Sequence, residues 1–262
     1  MDEPNSFFTR LPDELITSVL RYAGPEGTAL IGATCKQLNE LDNSSNTLWF
    51  NFVKDRLRLG QAGGEDTSWR DVYFCCAQVI KPESSQAKTT HLINLRHVYN
   101  SDHQSYYSTW GYGADNVFNR DRSCWSTSPG VNQNVNLLAN ITPKDDMAIV
   151  TGFEITTPKI YTADCPPKTV LAFASTKEIT ATGMYTCLRH SSAEPISQIN
   201  VPPPPCCHDQ TLFEEVQPII GRTFLFKIIE SYNPRGHEGG NIDVQQINLH
   251  GYVVPGLAAL LN

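Results

Sequence analysis

The sequence predicts an α+β chain, with a small helical module at its N-terminal end followed by an all-β sandwich. Between residues 11 and 80 apolar side chains recur at i, i+3, i+4 and i+7, and from about residue 91 the period drops to two. Clusters of Gly, Pro, Asn and Asp separate the strand candidates, with no helical repeat between them. That order fits an antiparallel sandwich better than alternating strands and helices.

Pro12 suits a first helical turn, and Asp13 and Glu14 place negative charge at the positive end of the helix dipole. Leu15, Val19 and Tyr22 then follow at i, i+4, i+7, with Ile16 and Leu20 widening the stripe. Residues 23–27 (Ala-Gly-Pro-Glu-Gly) break this helix. Thr28 is expected to cap a second one carrying Leu30, Ile31, Ala33, Cys35 and Leu38, in which Gly32 is an unfavourable interior residue at ~1 kcal/mol. After a polar break at 43–46, Asn46 or Thr47 can cap a third helix with Leu48, Trp49, Phe52, Val53 and Leu57. Following the Gly-rich gap 60–66, Ser68 precedes Trp69, Val72, Tyr73 and Cys76, a further helix ending before Pro82. Residues 81–90 are polar, lack aromatics and read as a linker.

Strands are expected at 91–99, 134–141, 148–156, 169–175, 184–189, 212–217, 223–230 and 241–251. The last run changes phase. Ile242 and Val244 share a face, whereas Ile247, Leu249 and Gly251 continue one residue out of step, so an extra residue near Gln245–Gln246 is expected to form a β-bulge. Residues 191–209 interrupt the strands. The run Pro202 to Pro205 favours an extended polyproline helix, read as a stiff surface loop, with docking of an SH3-like or WW-like module as the alternative.

Of 262 residues 40% are hydrophobic, enough for one or two cored domains. A net charge of −7 and a pI near 5.5 argue against a general affinity for nucleic acid or an anionic membrane. No stretch reaches the ~20 apolar residues that span a bilayer, and the start of the chain is acidic where a secretory signal would be basic. The eight cysteines, with two adjacent pairs and no regular framework, are expected to be thiols in a reducing compartment, hence a cytoplasmic or nuclear location.

Leu11-Pro12-Asp13-Glu14-Leu15-Ile16, then Cys35-Lys36-Gln37-Leu38-Asn39, then Leu48-Trp49 resemble, in this order, the F-box. The resemblance covers residues 9–57, and Trp69-Arg70-Asp71-Val72-Tyr73 resembles the helical extension common after it (58–90 with the linker). Position 38 is Leu where that family usually carries an aromatic residue. The resemblance implies docking of a Skp-type adaptor, and through it a cullin ligase, by Leu11, Pro12, Leu15, Ile16, Val19, Leu20, Leu30, Cys35, Lys36, Leu48 and Trp49. The residues themselves add a physical reason. Leu11, Pro12, Leu15, Ile16, Val19 and Leu20 are too many apolar groups for one short helix to bury in a three-helix unit, so a surplus is expected on the surface.

Residues 91–254 are similar to the galactose-binding-like jelly roll of discoidin and Doc-type domains. The similarity rests on Asp115-Asn116-Val117-Phe118 with Ser123-Cys124-Trp125-Ser126, on residues 149–155, and on residues 244–252. Residues 255–262 are left as a tail. Ligands of such sandwiches are expected at loops of one end. Two loops here carry suitable side chains: Tyr106, Tyr107, Trp110 and Tyr112 in one, Tyr232, Asn233, Arg235 and His237 in the other. Aromatics supply stiff contact area, and Arg a planar fork of donors.

No catalytic constellation is evident. Cys206-Cys207-His208-Asp209 and Cys75-Cys76 lack the spacing by which side chains converge on one zinc ion. Asp121 and Asp145-Asp146 are weak calcium candidates, and no nucleotide or serine-hydrolase signature is present. The expectation is a non-catalytic, cofactor-free receptor subunit of a Skp–cullin–F-box ubiquitin ligase, whose sandwich captures a client protein or glycoprotein. The alternatives are a cytosolic lectin-like module and, with less in its favour, a hydrolase, for which paired carboxylates are missing.

Overall fold

The computed structural model describes residues 11–34, 38–41, 46–59, 67–80, 91–97, 112–119, 123–142, 146–158, 165–177, 194–203, 209–232 and 240–261. The expected strand 184–189, the linker 81–90 and the segment 204–208 lie outside these residues.

Helix α1 (Asp13–Gly32) has two limbs joined at Gly24, whose φ of 75° and ψ of 177° lie outside helical geometry. Glycine takes that conformation without a Cβ clash, and Pro25 then opens the second limb with its φ preset. Thr28 therefore does not cap that limb, as its sequence position suggested. Its buried hydroxyl donates instead to the Leu20 carbonyl at 2.7 Å, satisfying an acceptor near the end of the first limb. The second limb stops at Gly32, which is terminal rather than interior, and Leu38 to Leu41 form a separate helical turn. Helices α2 (Asn46–Arg56) and α3 (Trp69–Ile80) pack together around Trp49, whose ring lies 5.5 Å from Phe52 and 5.3 Å from Tyr73.

The β region is a sandwich. One sheet has the order β1 (Arg58–Leu59), β9 (Gln210–Gly221), β6 (Met147–Thr157), β12 (Gln246–Val254), β2 (His91–Leu92). The other has β3 (Leu95–His97), β5 (Gln133–Ile141), β10 (Thr223–Ser231), β7 (Pro167–Ser175), β8 (Ser197–Asn200). A short pair, β4 (Trp125–Ser126) with β11 (Asp243–Val244), lies apart from both. Phe153 of the first sheet stacks on Phe226 of the second at 5.5 Å, marking the core between the layers. The chain changes sheet at two tight corners. Only Arg222 separates β9 from β10, and Ile93–Asn94 separates β2 from β3, so the single strand expected over 91–99 is split between layers. The bulge expected near Gln245–Gln246 is instead a change of sheet at Gln245, because β11 pairs with β4 and β12 with β6. There β11 ends and β12 begins, with the Gln245 amide donating to the Thr156 carbonyl at 3.1 Å.

Three elements depart from the expected organisation. Strand β8 falls inside the segment read as a loop, too short to show its alternation in sequence. Arg58–Leu59, expected to lie between the modules, pair in parallel with Ile219–Ile220 and so extend the first sheet. The expected tail forms helix α4 (Leu257–Leu261), with Leu257, Ala258 and Leu261 buried and the helix set against α3. One continuous apolar core runs from Ile16 and Leu20 through the helices into both sheets. Helices and sandwich are thus a single packed body among the described residues.

Candidate functional sites

The first limb of α1 divides its apolar residues between two faces. Ile16 and Leu20, one turn apart, are buried in the shared core. Leu15, Val19 and Tyr22 lie on the adjoining face and are 53%, 43% and 97% exposed, and Leu30 on the second limb is 73% exposed. The stripe read from the sequence as one broad surface is therefore two. Its i, i+4, i+7 part faces solvent, and its i, i+4 companion holds the helix in place.

This corrects part of the expected docking set. Ile16, Leu20, Leu48 and Trp49 are enclosed by the helical core and offer no surface, because α2 and α3 supply the apolar cover their burial needs. Leu11 is partly buried against the core, while Pro12, Leu15, Val19 and Leu30 remain exposed. Cys35 and Lys36 lie outside the described residues. Phe74, which sequence reasoning did not single out, is 41% exposed, with the Arg70 guanidinium 5.2 Å from its ring centroid. Its place beside Tyr73 and Cys75 on α3 gave no periodic signal of exposure.

The helical face is fixed from behind. The Tyr73 hydroxyl donates to Glu26 at 3.2 Å, tying α3 to the second limb of α1, and Arg56 sits 5.6 Å from the Tyr73 ring centroid. Burial, opposed by Arg56 and reinforced by Glu26, raises the Tyr73 hydroxyl from 10 to about 12, so it remains a donor at neutral pH. Burial and the neighbouring Cys75 likewise push Cys76 to about 12, and this thiol packs as an apolar group.

At one end of the sandwich the flanks of the two predicted ligand loops meet around Asp243. This buried carboxylate accepts hydrogen bonds from the Ser126 hydroxyl, from the Cys165 amide at 2.6 Å and from the Asn241 side chain at 2.8 Å. The Ser126 amide in turn donates to the Tyr112 carbonyl, and the Ser231 hydroxyl to the Asn241 carbonyl. The structure so brings Tyr112 and Tyr232 to the same end of the fold. Tyr112 is exposed there. Tyr232 is half-buried, and its hydroxyl donates to the Val201 carbonyl at 2.8 Å, which makes it a pin between β10 and the segment after β8. Tyr106, Tyr107, Trp110, Asn233, Arg235 and His237 lie outside the described residues, as do Asp121, Asp145, Cys206, Cys207 and His208.

Among the described residues no group of three or more His, Cys, Asp and Glu side chains is placed to hold a metal ion, and no helix is long and apolar enough to cross a membrane.

No protein-family model and no curated protein matches the chain. Solved structures similar to it include the family 32 carbohydrate-binding module of Clostridium perfringens NanJ in complex with galactose, at 11% identity over 62% of this chain and 98% of that one, with a TM-score of 0.40. A second family 32 module of C. perfringens, in complex with GalNAc-β-1,3-galactose, is 11% identical over 61% of this chain and 99% of that one, with a TM-score of 0.41. The family 32 module of Streptococcus pneumoniae EndoD is 9% identical over 62% of this chain and 100% of that one, with a TM-score of 0.38. At these values the likeness is one of general sheet arrangement.

Proposed function

We propose that the chain is a non-catalytic, two-ended receptor subunit. Its helical face docks a Skp-type adaptor, which connects it to a cullin ubiquitin ligase, and its β-sandwich captures a client protein or glycoprotein. It acts by proximity, raising the effective concentration of a client near the ubiquitin-loading machinery. The observation that carries the docking half is the division of the first helical limb. Ile16 and Leu20 already supply its core contacts, so the exposed Leu15, Val19 and Tyr22 are a surplus of apolar surface with no use in the packing of the described residues.

The test uses substitutions on the exposed face alone, since Leu20→Asp would unfold the helix from within. Leu15→Asp with Val19→Asp is expected to reduce capture of purified adaptor at least about tenfold, the loss of roughly 1.4 kcal/mol of contact energy, with unchanged thermal unfolding. Undiminished capture refutes the docking reading.

The second reading is a carbohydrate-binding module without a ligase role. Two of the structures to which the sandwich is similar were solved with galactose or GalNAc-β-1,3-galactose, and they stand nearer to this reading than to the first. Glycan-array binding in the absence of adaptor capture would favour it.

A further inference from the structure

We propose that the outer face of the first sheet, over β9, β6 and β12, is a binding surface for a neutral saccharide, with the Phe213 ring as its platform. This deepens the recognition half of the function above and rests on it in that respect alone.

The outer face of this sheet has two halves. Met147 to Val150 of β6 are buried on alternate and intervening positions alike, so both sides of the sheet are covered there, where α4 follows β12 and β1 pairs with β9. Further along, from Phe153 to Thr157, burial alternates and one side opens. The register sets three cross-strand rows on that open side. Phe213, Glu154 and Asn248 form the middle row, Thr211, Thr156 and Gln246 the row on one side, and Glu215, Gly152 and His250 the row on the other. With strands about 4.8 Å apart and rows about 7 Å apart, the array covers about 10 by 14 Å, room for a ligand of one or two sugar rings.

Its aromatic group lies down on the sheet. A Cβ on Gly152 would come within 2.5 Å of Phe213 Cε2 and 2.6 Å of Cζ, so the ring occupies the space that any other residue would fill. It meets His250 edge-on, at 5.1 Å between centroids and 82° between planes, yet is 56% exposed. The polar groups around it are held in place. Asn248 Nδ2 donates to Glu154 Oε1 at 2.6 Å, Gln246 Nε2 donates to Asn248 Oδ1 at 3.3 Å, and His250 Nε2 stands 3.4 Å from Glu154 Oε2. The hydroxyls of Thr156 and Thr211 are 3.0 Å apart.

A sheet face that only needs to stay soluble is served by long, mobile charged side chains. These three rows contain no Lys or Arg, and Gln246, Asn248 and Glu154 form a linked, preorganised chain of amides and carboxylate. An anionic ligand would meet the carboxylates of Glu154 and Glu215 with no Lys or Arg of these rows to answer them. An apolar helix laid here would strand the same groups without partners. A neutral sugar fits both components: its C–H face stacks on the ring, and its hydroxyls donate to carboxylate and amide oxygens.

The experiment is a titration of the full-length, 15N-labelled chain with galactose, GalNAc-β-1,3-galactose, chitobiose and cellobiose, and separately with a lysine-rich peptide. One of the sugars is expected to shift the amide resonances of Gly152, Phe213 and Asn248. Phe213→Ala should weaken that binding at least about tenfold, as removal of a central aromatic contact does, and Glu154→Gln should weaken it too, both with unchanged thermal unfolding. No shift with any sugar overturns the proposal. So do shifts confined to Tyr112 and Asn241, which would move the site to the loops, or shifts produced by the peptide alone. Adaptor capture through Leu15 and Val19 is measured independently, so failure of this site leaves the docking result standing, and the reverse.

Discussion

Across β12 and β6, His250 pairs with Gly152 and Gly251 with Val150, so Thr151 is the extra residue of a bulge that shifts the register between His250 and Gly251. The bulge brings the backbones so close that a Cβ on Gly251 would collide with the Ile149 carbonyl, which is main chain and cannot step aside. Gly251→Ala is therefore expected to destabilise the fold by about 2 to 3 kcal/mol through overpacking, read as a lowered midpoint of urea unfolding. An unchanged midpoint would mean that the bulge relaxes at little cost. Gly152 is bounded differently, by the far end of the Phe213 side chain, so a substitution there displaces a ring rather than a strand. The same residue type thus has two physical reasons, and neither could be read from sequence, where both are simply glycines within strand-like runs.

At the scale of elements, the sequence stated periodicity well and contacts between distant segments poorly. Trp69, Val72, Tyr73 and Cys76 fall on the buried side of α3 as their spacing predicts, whereas the change of phase at Gln245 marks a change of sheet and not the bulge it implied, which lies at Thr151. Likewise, spacing alone does not separate Leu15, Val19 and Tyr22 from Ile16 and Leu20. Only the packing of α2 separates the buried pair from the exposed three, because adjacent helical stripes look alike without their partner. Asn46 shows the same limit. Its position predicts a cap on its own helix, whereas its side chain reaches the start of the next one, accepting from the Trp69 amide at 2.9 Å and donating to the Thr67 carbonyl at 2.9 Å. This two-point clip ties the N-terminus of α3 to that of α2 across residues that are far apart in the chain. Asn46→Ala is expected to cost about 1 to 2 kcal/mol, the range for losing a helix cap. It should also speed hydrogen exchange at the Trp69 amide more than at amides of the sandwich. Uniform acceleration across both would point to general destabilisation instead.

At the scale of the whole molecule, both edges of the helical module are tied into the sandwich. Arg58 and Leu59 join the first sheet beside β9, and α4, at the far end of the chain, returns to α3 with Leu257 and Leu261 buried. Because the apolar core is continuous, separating the modules would expose surface on both, and the two should unfold as one unit. The amide resonances of Trp49 and Trp69 in the helices and those of Phe153 and Phe226 in the sheets are expected to disappear at the same urea midpoint. Leu257→Asp buries an unpaired charge at the seam, with an expected cost of about 3 to 5 kcal/mol, and should pull the two sets apart as the helices loosen first. Two separate transitions in the unaltered chain would show instead that the modules are independently stable. The distinction bears on function, since a receptor that works by proximity depends on the spacing between its docked end and its recognition end. A welded body holds that spacing fixed, whereas a flexible joint would spread it over many distances and lower the effective concentration at the useful one.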